Sequence, residues 1–275
     1  MKLNKEDLRI LNSCCSRVKV KQVDLCIGSY YVKFGYDNVD TIKMIFRELL
    51  GTKVFNLVGI KCAQYQYVQE SECLISEDLN RDKKMYWCYE LGFGSLALEY
   101  VLEGIHLQKH VGDGFANPEK LTLSVEIMHF IDILFSNVDR HANNFGFYID
   151  KNGYGELVVF DNEGFLRCYE SSTKPYAFSG QQVEEGDCSH ITKKEEAIKF
   201  FEMMSEEMKM LVPKYLEMFT PTRVEHLIHN LETDTNLQFP EFNETMKKYK
   251  KNYKMVSNVF GIKKKINIVN KLIKK

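Results

Sequence analysis

Apolar and polar positions change period several times along this chain of 275 residues, and each change marks an element. Ser29–Phe34 (SYYVKF) is short and aromatic, which predicts a β-strand, with a loop over Gly35–Asp40. From Thr41 to Val58 the apolar residues Ile42, Ile45, Phe46, Leu49 and Leu50 recur at helical spacing. Gly51 weakens the middle of that helix and predicts a bend or break there. Lys61–Val68 alternates like a strand. Leu121–Phe135 is almost continuously apolar and predicts a buried helix. The strands Asn144–Ile149 and Leu157–Phe160 flank an Asn- and Gly-rich turn, Asp150–Gly155, which predicts a hairpin. Thr192–Leu211 has one helical period. Pro221, capped by Thr220, starts another helix that runs through Leu231. Cys168–His190, rich in Ser, Thr, Gly, Pro and acids, reads as a long loop.

The hairpin carries the chemistry. It brings its two ends together, so Asp139 and Asn144 at one end lie near Asp161 at the other. Two carboxylates and an amide make an all-oxygen site. Such a site suits Mg²⁺, which takes one or two carboxylates plus phosphate oxygens. A base beside metal ligands is what phosphoryl transfer needs. Asp132 is an acid on an apolar helix, so it needs a partner, either Arg140 or a loop N–H.

The run Asp139-Arg140-His141-Ala142-Asn143-Asn144 resembles the D-R-H-x-x-N catalytic loop of the HipA-like kinases. Phosphoinositide kinases and their protein-kinase relatives carry a similar loop. Asp161-Asn162-Glu163-Gly164 resembles the second metal-binding segment, which many HipA-like proteins write as D-N-G. His129-Phe130-Ile131-Asp132 and Asn137 resemble the helix leading into that loop. The resemblance spans roughly residues 10–235 and rests on two motif halves in the right order. It implies an α+β, two-lobed protein-kinase-like fold. A small β-rich N-lobe (1–80) would precede a mainly helical C-lobe with the catalytic hairpin (81–242), followed by a basic C-terminal helical segment (243–275). The chain is too short for the extra N-terminal subdomain of HipA proteins.

The same resemblance assigns roles. Asp139 is the base, with Arg140 and His141 bracing the loop, and Asn144 and Asp161 hold Mg²⁺. Strand residue Lys33 binds the ATP phosphates and helix residue Glu48 orients it. Glu72–Asn80 resembles the strand and linker that meet adenine, and Trp87 and Tyr89 are core or cleft-wall residues. The chain departs from kinases in its phosphate loop, Leu11–Lys21 (LNSCCSRVKVK), which has no glycine. Backbone N–H groups at Ser13 and Ser16 can still face phosphate, and Arg17 and Lys19 add charge. By the resemblance, Ser13 and Ser16 are also candidates for inhibitory self-phosphorylation.

Composition narrows the class further. With 44% apolar residues the chain builds a sizeable core. No apolar run reaches 18 residues and the N-terminus lacks an apolar signal region, which predicts a cytoplasmic protein without a membrane span, delivery as an effector aside. Eight scattered cysteines without a C-x-x-C pair read as reduced thiols. Residues 243–275 hold eleven lysines and one acid, a net +10, which leaves −11 on residues 1–242. Val256, Val259, Ile262, Ile266, Val269 and Ile273 there recur at helical spacing and predict an amphipathic helix packed on the C-lobe. The alternative is a basic arm for nucleic acid or an anionic surface. The function expected is an ATP- and Mg²⁺-dependent serine/threonine kinase acting on itself or a protein substrate, with an antitoxin or regulatory protein as a partner. Its rivals are a nucleotide-binding pseudokinase or inhibitory partner, a phosphoinositide-type lipid kinase, and an enzyme that transfers AMP.

Overall fold

The computed structural model describes residues 3–14, 20–25, 28–34, 38–80, 84–87, 91, 115–137, 140, 144–166 and 193–273. In chain order the elements are α1 (Lys5–Cys14), β1 (Val20–Leu25), β2 (Gly28–Lys33), α2 (Asn38–Val58), β3 (Lys61–Cys62), β4 (Gln66–Val68), β5 (Cys73–Glu77), β6 (Met85–Trp87), α3 (Pro118–Phe135), β7 (Phe145–Ile149), β8 (Gly155–Val159), α4 (Lys193–Met203), α5 (Glu206–Met218), α6 (Pro221–Thr235) and α7 (Phe242–Ile273). Strands and helices occupy both halves, so the fold is α+β. The first sheet is antiparallel in the order β1-β2-β5-β4, and the second runs β3-β8-β7-β6 with β3 parallel to β8.

The alternating stretch Lys61–Val68 is not one strand. Lys61 and Cys62 pair with Val158 and Val159 of the second sheet, whereas Gln66–Val68 pairs with β5 of the first. Residues 63–65 therefore bridge the two sheets. Alternation reports a half-buried extended chain, but it does not say which neighbour supplies the hydrogen bonds.

The N-terminal expectation also changes. Asn4 and Asp7 cap α1 reciprocally: Asp7 N–H donates to Asn4 Oδ1 (2.9 Å) and Asn4 N–H to Asp7 Oδ2 (3.1 Å). The helix then carries Leu8 and Leu11 against Val23, Val32 and Ile75 of the first sheet. Leu11–Cys14 is thus helical rather than loop, and Ser13 stands in the last turn of α1. Ser16 and Arg17 lie outside the described residues. The loop expected at Gly35–Asp40 is likewise shortened, because α2 already begins at Asn38.

Helix α3 is the centre of the main core. From Val125 to Phe135 every residue is buried, because other elements pack on all sides of it. Phe135 stacks on Phe165 (5.3 Å between ring centres) and meets Phe219 edge-on, while Phe130 meets Phe260 of α7. Asn252 of α7 donates to the carbonyls of Ile133 and Leu134 in the last turn of the helix. Met246, Tyr249, Val256, Val259 and Phe260 join the same core, so the start of the basic segment is an amphipathic helix packed on the body. Ile262, Ile266, Val269 and Ile273 follow on α7 beyond the residues whose side chains are described.

The helical period over Thr192–Leu211 is interrupted at Met204 and Ser205. Ser205 caps α5 by accepting from Met208 N–H, and the buried Glu126 carboxylate takes both the Ser205 N–H and its hydroxyl (2.6 Å each). A tertiary contact therefore splits what the periodicity joins. Pro221 begins α6 as expected, but Thr220 makes no side-chain cap and the helix continues to Thr235. Among the described residues no helix is long and apolar enough to cross a membrane. Cys62 and Cys73 are buried. The Cys168–His190 stretch lies outside the described residues.

His129 on α3 is buried near Phe200, and burial, reinforced by the Arg140 charge, pushes its pKa down to about 3. The folded protein keeps this ring neutral while the unfolded chain protonates it near 6.5. Stability from this group is therefore present above pH 6.5 and lost as pH falls toward 3, at about 1.4 kcal/mol per pH unit. Urea denaturation across pH 5–6.5 should give a profile flatter by about that slope in His129→Leu than in the parent protein. Parallel profiles would show that the ring is protonated inside the fold.

Candidate active site

The site grows out of α3. Ser136, in a left-handed conformation (φ 50°), ends the helix, and Asn137 N–H bonds back to the Asp132 carbonyl (2.8 Å). The Asn137 side chain donates to Asp132 Oδ1 (2.7 Å). The fully buried Asp132 then takes Arg140 in a fork, Nε to Oδ2 at 3.0 Å and Nη2 to Oδ1 at 3.3 Å. Of the two partners anticipated for Asp132, Arg140 is present. Burial raises the Asp132 carboxyl, and Arg140 and Asn137 oppose that rise.

Arg140 spends its remaining donors on the hairpin. Nη1 donates to the carbonyls of Asn144 and Phe160 (2.9 Å each), and Nη2 to Asn162 Oδ1 (2.8 Å). Five contacts match the five N–H groups of a guanidinium. Phe160 N–H also donates to the Asn144 carbonyl (3.1 Å), so Asn144 at the start of β7 lies beside the chain that enters Asp161.

Strand β2 and helix α2 bring the other half. Lys33 Nζ donates to Glu48 and to Asp161 Oδ1 (2.7 Å), and Glu163 Oε2 is 3.6 Å away. The second Glu48 oxygen accepts the Asn162 N–H (2.7 Å). Burial pushes the Glu48 carboxyl up to about 7, and Lys33 and the Asn162 N–H pull it back. Burial alone would lower the Lys33 ammonium, but Glu48 first, then Tyr65, Asp161 and Glu163, hold it well above its usual value. Lys33 is therefore charged at neutral pH, and Glu48 depends on Lys33 for its own charge.

Lys33 and Asp161 reach a cavity of about 260 Å³. Ala63, Tyr65, Trp87 and Phe160 form its walls, and residues 76–80 form its edge. Side chains set the course of that edge: Asp78 Oδ1 accepts Asn80 N–H, Asn80 Oδ1 accepts Met85 N–H, and Tyr148 donates its hydroxyl to the Leu79 carbonyl. Trp87 is a wall residue, as anticipated, and Tyr89 lies outside the described residues.

Of the residues singled out in the sequence, the structure brings together Lys33, Glu48, Arg140, Asn144 and Asp161. Asp139, His141 and Ser16 lie outside the described residues, and Ser13 stands on α1. Three further residues enter the site without a sequence assignment of their own. Asn162 links Glu48 to Arg140, Glu163 faces Lys33, and Tyr65 accepts from Asp161 N–H. The first two stand directly after Asp161 and could have been found by asking what holds a metal-binding segment in place. Tyr65 carries no such signal, since an aromatic in an alternating stretch reads as packing.

The donor set fits Mg²⁺. The Asp161 side chain is 32% exposed at the cavity while Glu48 is fully buried, so Asp161 is the carboxylate open to a ligand. Among the described residues no group of three or more His, Cys, Asp or Glu could hold a metal by itself. A hard cation that takes one carboxylate and completes its shell with phosphate oxygens and water matches this sparse oxygen set.

The architecture is that of a kinase-like α+β protein, with two sheets and seven helices among the described residues. No protein-family model matches the chain, and no curated protein matches it. Solved structures share its fold. One is the Helicobacter pylori proinflammatory kinase CtkA, at 17% identity over 89% of this chain and 91% of that chain, with a TM-score of 0.52. Another is HipA of Shewanella oneidensis MR-1, solved with HipB and operator DNA as a toxin–antitoxin system, at 14% identity and a TM-score of 0.58. That match covers 88% of this chain and 63% of the HipA chain.

Gly51 does not break α2, which is continuous from Asn38 to Val58. A Cβ on Gly51 would stand 2.4 Å from Asn162 Cβ, so glycine is the residue that lets the helix touch the metal-binding segment. Ala at a helix interior normally stabilises by about 1 kcal/mol. Here Gly51→Ala should destabilise by about 1–3 kcal/mol, the usual range for overpacking. A urea midpoint that rises in the variant would show that Asn162 is free to move aside.

Proposed function

We propose that this protein is an ATP- and Mg²⁺-dependent serine/threonine protein kinase of the HipA-like type. One observation carries the reading: Lys33 Nζ is shared between Glu48 of α2 and Asp161 at the end of the hairpin, at the foot of a cavity edged by the 76–80 linker. A strand lysine, a helix glutamate and a metal-binding aspartate around one nucleotide cleft are the recurring parts of a kinase. The kinase-like fold shared with CtkA and HipA supports the same reading. In this reading residues 1–80 are the small lobe, 81–242 the large lobe, and 243–275 a basic helical segment.

Each residue then has a task. Lys33 binds the nucleotide phosphates and Glu48 holds Lys33 extended toward them. Asn144 and Asp161 hold Mg²⁺, which supplies charge neutralisation on the phosphate oxygens. Asp139 accepts or orients the proton of the attacking hydroxyl. Arg140 and His141 brace the loop that carries Asp139. The cavity, near the small end of ligand sites (about 300–1,000 Å³), suits a heterocycle rather than a whole nucleotide. Ser13 and Ser16 are the proposed sites of self-phosphorylation. A partner protein, in the manner of HipB beside HipA, is the proposed regulator. A second reading, nucleotide binding without transfer, gains from the helical state of Leu11–Cys14, which shortens the segment left to cover the phosphates.

Intact mass after incubation with Mg²⁺ and ATP tests the reaction. The parent protein should gain phosphate, and Asp139→Asn should lose that gain by a factor of about 10²–10⁴ in rate. A gain of AMP would redefine the enzyme as a nucleotidyl transferase, and unchanged transfer in Asp139→Asn would remove Asp139 as the base. Asp161→Ala should separately abolish the Mg²⁺-dependent part of nucleotide affinity in calorimetry. Equal affinities with Mg²⁺ in parent and variant would discard Asp161 as a metal ligand.

A further inference from the structure

We infer that Tyr65 is a positioning residue for the Asp161 carboxylate, acting through the Asp161 backbone. The inference rests on the kinase reading of the site and names a residue that neither motif contains.

Asp161 has φ 53°, the left-handed region that a residue with a side chain enters at a cost of about 1–2 kcal/mol. Such a conformation persists only where the surroundings hold it. Two successive backbone donors of this segment are held by side chains from the N-terminal part of the chain. Asp161 N–H donates to the Tyr65 hydroxyl (3.4 Å), and Asn162 N–H donates to Glu48 Oε2 (2.7 Å). The Glu48 contact fixes the residue after the carboxylate, and the Tyr65 contact fixes the carboxylate's own residue.

Tyr65 is itself well placed for this task. It ends the 63–65 bridge between β3 of the second sheet and β4 of the first, so both sheets determine its position. Its ring lies 5.9 Å from Lys33 Nζ and faces the cavity. A phenol is neutral at ordinary pH, so its oxygen is a neutral acceptor. A neutral acceptor can hold the Asp161 N–H without repelling the adjacent carboxylate, which another acid at position 65 could not. At 3.4 Å the bond is long, as catalytic hydrogen bonds often are before a ligand tightens them.

Tyr65→Phe keeps the ring, the packing and the Lys33 contact, and removes only the acceptor. Nucleotide binding is measured by calorimetry, with ATP as probe, across a Mg²⁺ titration and in EDTA. The variant should need about fivefold more Mg²⁺ for half-maximal enhancement of ATP affinity, the effect of losing one hydrogen bond of about 1 kcal/mol. Its metal-free ATP affinity should fall by clearly less than its Mg²⁺ requirement rises. Equal Mg²⁺ requirements in the two proteins would overturn the role of Tyr65 and leave the kinase reading standing. A parallel loss of metal-free affinity would also overturn it, because the hydroxyl would then serve the cleft as a whole. Absence of any Mg²⁺ effect in the parent would overturn the kinase reading, and this inference with it.

Discussion

Arg140 ties together the three segments on which the site depends. Its guanidinium holds Asp132 of α3, the carbonyl of Asn144 before β7, the carbonyl of Phe160 after β8, and the side chain of Asn162. A charge this deeply buried is tolerable only because a carboxylate faces it and its donors are used. Removing one member of such a pair typically costs about 3–5 kcal/mol, since the other is left charged and alone. Lysine could not replace it, having one nitrogen where five directed N–H groups are needed. The ring of Phe55, 5.5 Å from the guanidinium carbon, brings α2 onto the same centre.

From that centre the contacts run outward to the first sheet. Asn162 receives Arg140 on its side chain and gives its N–H to Glu48, and Glu48 holds Lys33 of β2. One continuous polar chain thus joins the core helix α3 to a strand of the other sheet. Its members sit where α2 passes close to the segment after β8, an approach that Gly51 permits. Polar networks in a low-dielectric interior are strong when every member is satisfied and costly when one is missing. The network therefore sets the relative position of the two halves of the cleft as well as the position of each side chain.

Lys33 faces three carboxylates, an excess of negative charge for one ammonium. Glu48 is sealed away, while Asp161 is partly open to the cavity. The two contacts are thus unequal in kind. The bond to Glu48 belongs to the fold, and in the proposed reaction the bond to Asp161 is the one that a nucleotide bearing its cation exchanges. Glu163 adds to the pull on Lys33. In the proposed reaction that pull is relieved when phosphate groups share the ammonium and a cation takes Asp161.

Local pattern was enough for the hairpin and for the existence of most helices. Alternation and turn chemistry over residues 144–160 produce the observed β7–β8 register, with Asp150 organising the turn through its own side chain. That Lys33, Glu48 and Asp161 come together was anticipated from their residue types and order, while Asp139 lies outside the described residues. Other features depended on partners remote in sequence. Ser205 divides one helical period into two helices because Glu126 reaches it from 79 residues away. Lys61–Val68 splits because two different sheets claim its ends. Gly51 looks like a helix breaker until Asn162 is placed against it. The sequence by itself determined most local elements and which polar residues were candidates for the site, because these follow from periodicity and side-chain chemistry. The tertiary structure alone decided which N–H meets which carboxylate, because long-range pairing depends on the three-dimensional path of the chain and leaves no period to read.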